Sequence, residues 1–173
     1  MDHVARLSFA TIALLCLAAA FPSTGAPAQQ QRAGESTRTN LEIDLPEVVA
    51  EVRKAYDRYN QAVNSNDVSV LDETFRNDAR TIRYGQAENL YGYKEIEAFR
   101  AGVRPAAGPP RTLSKTVITT YGRDFAVAST LTNRANAPGK VGRQMQTWVR
   151  FPEGWRVVAA HVSTIDEPVA VKP

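Results

Sequence analysis

The residues best suited to chemistry in this 173-residue chain cluster near its C-terminus. Val141 to Phe151 and Trp155 to Ile165 alternate with the period of two expected of strands and are joined through Pro152-Glu153-Gly154, so they read as an antiparallel hairpin. A two-residue turn at Glu153 and Gly154 sets His161 opposite Gln146, and a four-residue turn sets it opposite Gln144. In both cases His161 shares a face with Gln144, Gln146, Trp148, Trp155 and Ser163. An imidazole among amides and indoles suits a general base or a ligand-holding group. The same residues equally suit a structural network in which His161 bonds Gln144 or Gln146, or a solvated face.

Five further positions are candidates. Arg83 and Tyr84 alternate on a short strand, and Arg83 offers a planar fork of donors that matches a carboxylate, or else a surface pair with an acid. Glu88 and Tyr91 flank the next short strand, where Glu88 is either a pocket acid or a solvated loop residue. Tyr59 lies on the apolar stripe of the first helix with Tyr56 one turn before it, which reads as core packing with a hydroxyl at the rim. The sequence holds no G-x-S-x-G, P-loop, dinucleotide fingerprint or metal-ligand spacing, so neither a cofactor nor a metal is expected. Catalysis, if present, falls to His, carboxylate, Tyr and Arg.

The N-terminus carries its own signal. Arg6 precedes the apolar run Leu7 to Ala20, and the segment ends in Ala26-Pro27-Ala28, the pattern of a signal peptide over residues 1–28 cleaved after Ala28. A retained anchor is the rival reading, but the run is shorter than the roughly 20 residues that span hydrocarbon. A lipoprotein at Cys16 fits less well, because Leu15 stands where a small residue is usual. The expectation is a periplasmic or secreted protein with no membrane attachment after cleavage. Cleavage removes Cys16, the one cysteine, and leaves His161 as the one histidine, so thiol chemistry and a His-rich zinc site are excluded.

Composition narrows the remaining classes. With 43% hydrophobic and 23% charged residues the chain matches ordinary globular proteins and not collagen or coiled coil. Its net charge of +3 is spread without a basic block, which argues against nucleic acid as a partner. Residues 29–40 (QRAGEST within them) lack any large apolar side chain and read as a flexible lead-in, residues 41–166 as one domain, and residues 167–173 as a tail.

The elements that must position these residues follow in order. Pro46 and Glu47 open a long amphipathic helix ending near Asn64, and Asn66 or Asp67 caps a shorter one carrying Val68, Leu71 and Phe75. Strands are expected at Ala79 to Tyr84 and Asn89 to Tyr91, then a third helix with Ile96, Phe99 and Val103. After the Pro-rich loop Arg104 to Pro110 come four long strands, beginning with Leu113 to Tyr121 and Phe125 to Asn133. Helices followed by a run of strands make an α+β domain, a curved, mainly antiparallel sheet around the helices.

The segments Leu45-Pro46-Glu47-Val48, Thr81-Ile82-Arg83-Tyr84-Gly85 with Glu88, Tyr121 to Phe125, and Gly142 to Trp148 with His161-Val162-Ser163 resemble the DUF3225 family of NTF2-like (SnoaL-like) proteins. That family includes the oxalurate-catabolism protein and the dicarboxyurea-deamidating protein of s-triazine degradation. The resemblance spans Leu41 to Ile165. It implies a cone with three helices, a homodimer formed through the sheet, and hydrolysis of an amide bond in a small ureido- or oxamate-like carboxylate. By the matching positions it implies Tyr59 and Arg83 as a functional pair, with Arg83 on the carboxylate. Arg76 and Ala79 depart from the aromatic and Pro residues of many relatives, and the export signal departs from relatives that act in the cytoplasm.

The expectation is therefore a deamidase-like hydrolase. Tyr59, Arg83, His161 and Glu88 would be catalytic, and Arg83, Tyr84, Tyr91, Gln144, Gln146 and Trp148 would bind substrate. A non-catalytic small-anion-binding or accessory protein and a structural dimer are the alternatives.

Overall fold

The computed structural model describes residues 41–103 and 108–167. The expected signal peptide, the lead-in and the tail beyond residue 167 lie outside the described residues. Helix α1 (Pro46–Ser65) starts with Pro in its first turn and Glu47 beside the positive helix end. It buries Val48, Val52, Tyr56, Tyr59 and Ala62 at helical spacing. It stops at Asn66, whose left-handed backbone (φ 62°) an Asn side chain tolerates. Helix α2 (Val68–Thr74) is capped by Asp67, whose carboxylate accepts the Val70 N–H at 3.1 Å.

Strand β1 (Ile82–Tyr84) is shorter than the Ala79 to Tyr84 run suggests. Asp78 accounts for the difference: its carboxylate accepts both the backbone N–H and the guanidinium Nε of Arg80 at 2.8 Å, folding Asp78 to Arg80 into a turn. The remaining elements are β2 (Asn89–Tyr91), α3 (Tyr93–Val103), β3 (Arg111–Tyr121), β4 (Phe125–Arg134), β5 (Lys140–Phe151) and β6 (Gly154–Asp166).

The strands form one sheet in the order β2-β1-β6-β5-β4-β3, antiparallel throughout except where β1 runs parallel to β6. The three helices pack on one face of it, called inner below. There Ile118, Ala126, Ala128, Trp148, Trp155, Val157 and Ala160 meet Val48, Val52, Tyr56, Tyr59, Leu71 and Ile96 in one core. Trp148 is fully buried, with the Tyr56 and Tyr59 rings each 6.5 Å away edge to face. The fold is α+β, as expected.

Two irregularities bend the sheet and set which side chains face inward. One lies between Ser114 and Val117 of β3, where Lys115 adopts φ 49°. The other lies between β5 and β6: Trp148 pairs with Val157 but Thr147 pairs with Ala159, so Val158 is an extra residue. Among the described residues no helix is long and apolar enough to cross a membrane.

Candidate functional site

The Val158 bulge corrects the face expected for His161. The turn keeps Trp155 and Val157 on the inner face with Trp148, but one extra residue then reverses the alternation, since a strand's period is two. Ala160 therefore points inward, while His161 lies opposite Met145 on the exposed outer face. Gln144, Gln146 and Trp148 stay buried on the inner face, so His161 and Ser163 are not on their side of the sheet. Tyr84 and Tyr91 join His161 outside: the Tyr84 ring is 6.3 Å from His161 and 5.9 Å from Tyr91, and the two phenol oxygens are 3.2 Å apart. That hydrogen bond, followed by the electrostatic effect of the same neighbour, raises the Tyr84 phenol above its ordinary value.

The inner face holds the other candidates in rows. Register pairs Arg83 with Ala160, Ala160 with Gln146, Gln146 with Ala128, and Ala128 with Ile118. Neighbouring strands lie about 4.8 Å apart, so Arg83 and Gln146 stand roughly 10 Å apart at Cα with only a methyl group between them. Gln146 is 1% exposed, and neither its Oε1 nor its Nε2 has a hydrogen-bond partner among the described residues. Buried amide atoms normally have partners, so this residue is the most under-satisfied polar group of the interior.

Arg83 donates through Nη1 to Glu88 Oε1, and its guanidinium carbon stands 5.4 Å from the centre of the Phe99 ring. Both side chains of this pair are about one-fifth exposed. Glu88 reaches Arg83 by folding over Gly85, where any Cβ would overlap its carboxyl group; its second oxygen accepts the Ala87 N–H at 3.2 Å. The spacing alone left Glu88 open between pocket acid and solvated residue, and the structure puts it beside Arg83.

Tyr59 sits elsewhere in the interior, against Phe75 and Trp148 and 5.8 Å from the guanidinium carbon of Arg111. Arg111 escaped the sequence reading because the strand was expected to start at Leu113, beyond Pro110. Its period-two relation to Leu113 was the available signal. Arg111 is 9% exposed and donates to Gln144 Oε1 at 2.9 Å and to Asn60 Oδ1. Gln144 in turn donates to the Tyr56 hydroxyl at 3.4 Å. Burial raises the Tyr56 phenol above its ordinary value despite hydrogen bonds that oppose the shift, so the group stays neutral. Among the described residues no three His, Cys, Asp or Glu side chains gather closely enough to hold a metal.

A family model described as AtzH-like matches residues 41–168. A solved DUF3225-family protein of unknown function from Pectobacterium atrosepticum is 56% identical, covers 72% of this chain and 95% of its own, and superposes with a TM-score of 0.69. A cystatin-like fold protein from Burkholderia xenovorans is 42% identical over 74% of this chain and 99% of its own, with a TM-score of 0.70. An NTF2-like protein of unknown function from Pseudomonas putida, 18% identical, covers 73% of this chain and 90% of its own with a TM-score of 0.57, and shares the fold. Comparison with curated proteins returned no match.

Proposed function

The chain belongs to the AtzH-like family of NTF2-like proteins, and we propose that it hydrolyses an amide bond of a small ureido- or oxamate-type carboxylate on the inner face of the sheet. Family and fold together support a small-molecule-binding protein. The observation that carries the finer reading is the row Arg83–Ala160–Gln146. In this proposal a planar ligand of this class over Ala160 would meet the Arg83 guanidinium at one end and, at the other, the Gln146 amide, whose atoms lack partners among the described residues. Arg83 has five N–H donors and gives one to Glu88, which leaves a fork for the substrate carboxylate.

In this proposal Glu88 takes a proton from water as the water oxygen bonds to the amide carbon. The C–N bond then breaks, and the proton leaves on ammonia. Gln146 hydrogen-bonds the ureido or oxamate group, while Tyr59, held against Phe75, Trp148 and Arg111, packs the interior beside the row. His161, on the outer face, takes no part.

The proposal extends to the setting of the protein. The leader-like N-terminus supports export to the periplasm or beyond. The outer face supports pairing with a second copy, since Tyr91, Met145, Val117 and Phe125 leave 58, 57, 56 and 40% of their surfaces exposed there. A non-catalytic anion-binding role is the second reading. It draws on the engagement of Glu88 by Arg83, which holds the carboxylate as a counter-ion as well as it would a base.

Ammonia release and binding heat, measured together on dicarboxyurea, oxalurate and related ureido acids, separate the two readings. The hydrolase reading expects both signals from at least one of them and their loss in Arg83→Ala with the fold intact. Heat without ammonia leaves the binding role, and neither signal from any of them rejects both.

A further inference from the structure

Among the described residues two arginines are less than one-tenth exposed, and their surroundings differ. Arg100 (8% exposed) donates to the Asp72 carboxylate at 2.7 Å and to the Leu71 carbonyl at 2.8 Å, a charge neutralised in place. Arg111 (9% exposed) has no carboxylate partner among the described residues. Its two terminal nitrogens rest on the neutral amides of Gln144 and Asn60, and its Nε has no partner. Asn64 fixes the backbone beneath it from both sides, accepting the Arg111 N–H at 3.1 Å and donating to the Arg111 carbonyl at 3.3 Å. Burying a guanidinium without a counter-charge is costly, and a neutral side chain would fill a purely structural position with less penalty.

Arg111 also lines a cavity of about 370 Å³ that opens where β3 begins and β4 turns into β5. Arg134 and Lys140 line it too, with the Thr132 and Thr164 side chains, and among the described residues no acidic side chain does so. Arg134 donates to the Pro109 carbonyl, Lys140 pairs with Asp166, and Gln86 donates to the Thr164 hydroxyl at 2.6 Å. The hollow is thus framed by three cations, of which the innermost lacks a counter-ion and is held rigid by four amide contacts. Such pre-organisation is what makes a guanidinium an effective carboxylate receptor.

We propose that this basic hollow is a second binding site, for a small carboxylate, with Arg111 as its buried receptor and Arg134 and Lys140 as its rim. It lies on the same inner face as the Arg83 row, where Gln144 and Val162 sit one alternation from Gln146 and Ala160, and its occupant neutralises Arg111 as Asp72 neutralises Arg100.

The test is isothermal titration of the purified protein with malonate in an Arg83→Met background, which removes the other candidate clamp. One binding event is expected there. Arg111→Met, added with the fold verified by circular dichroism, is expected to abolish it, and Arg134→Ala to weaken it about three- to ten-fold. If Arg111→Met does not fold, Arg111→Lys is the readout: it keeps the charge, loses the fork, and is expected to weaken malonate at least ten-fold. Absence of heat in the Arg83→Met protein overturns the second site and leaves the Arg83 proposal standing. Malonate affinity unchanged by the Arg111 variant overturns it as well. Inorganic phosphate binding more tightly than malonate overturns the carboxylate assignment.

Discussion

Gly85→Ala offers a way to remove the Glu88 carboxylate from Arg83 without altering either charged residue. A Cβ at position 85 would overlap Glu88 Oε1 and Cδ, and the overlapping atoms are the far end of a flexible side chain. Gly85 is not among the residues of positive φ, so alanine fits the backbone there without strain. The relief is a swing of the carboxylate by about 1 Å or more, enough to break a charge-assisted hydrogen bond. A hydrogen bond to a charged group contributes about 1.5–3 kcal/mol. The lower figure applies to a pair one-fifth exposed, because water takes up part of the loss. Replacing Gly by Ala restricts the unfolded chain and returns about 0.4–1 kcal/mol. The net destabilisation is therefore about 0.5–1.1 kcal/mol, a fall of roughly 2–6 °C in Tm for a domain of this size. Activity should fall much further, about 100-fold in kcat/KM, because a 1 Å misplacement of a reacting group has that effect. Differential scanning calorimetry and ammonia release measure the two quantities. A Tm within 1 °C of the parent together with kcat/KM within two-fold would refute the placement of Glu88 over Gly85 and its role as base.

Trp148→Ala should destabilise the domain by about 3–5 kcal/mol, since the indole is fully buried between Tyr56 and Tyr59, and urea unfolding followed by circular dichroism measures it. The Arg80 guanidinium, then the Arg80 backbone N–H, holds the Asp78 carboxyl far below the ordinary carboxylate range. Its folded pKa is depressed, so its contribution is present above the unfolded value near 4 and is lost as the pH falls below it. Asp78→Asn should flatten that part of the acid limb in a Tm-versus-pH series, and an unchanged slope would contradict it. If the proposed outer-face dimer forms, Met145→Glu, on that face beside His161, should convert it to a monomer in sedimentation equilibrium while leaving the Tm of the monomeric unit within a few degrees.

Element type and order were legible in the sequence because they rest on local signals. Val48, Val52, Tyr56 and Tyr59 repeat at helical spacing, Asp67 is a capping residue, and the C-terminal half alternates with a period of two. Register was not legible. Val158 is one Val in a run of apolar residues, and nothing in its type announces that it stands outside the ladder, yet it moves His161 to the other face. Arg83 and Glu88 meet within one short hairpin, yet their spacing left Glu88 open between a pocket acid and a solvated residue. Arg111, by contrast, meets Asn60 and Gln144 across 51 and 33 residues, contacts that only the closed sheet creates. Tyr59 illustrates the same limit: its place on the helix stripe was evident, but its neighbour among the arginines proved to be Arg111.

The most direct measurement is a crystal structure of the protein grown with oxamate. The carboxylate is expected within hydrogen-bond distance of the Arg83 guanidinium, with the amide over Ala160 and bonded to Gln146. Oxamate found only on the outer face beside His161, or an Arg83–Glu88 pair left untouched while the ligand binds elsewhere, would contradict the inner-face site.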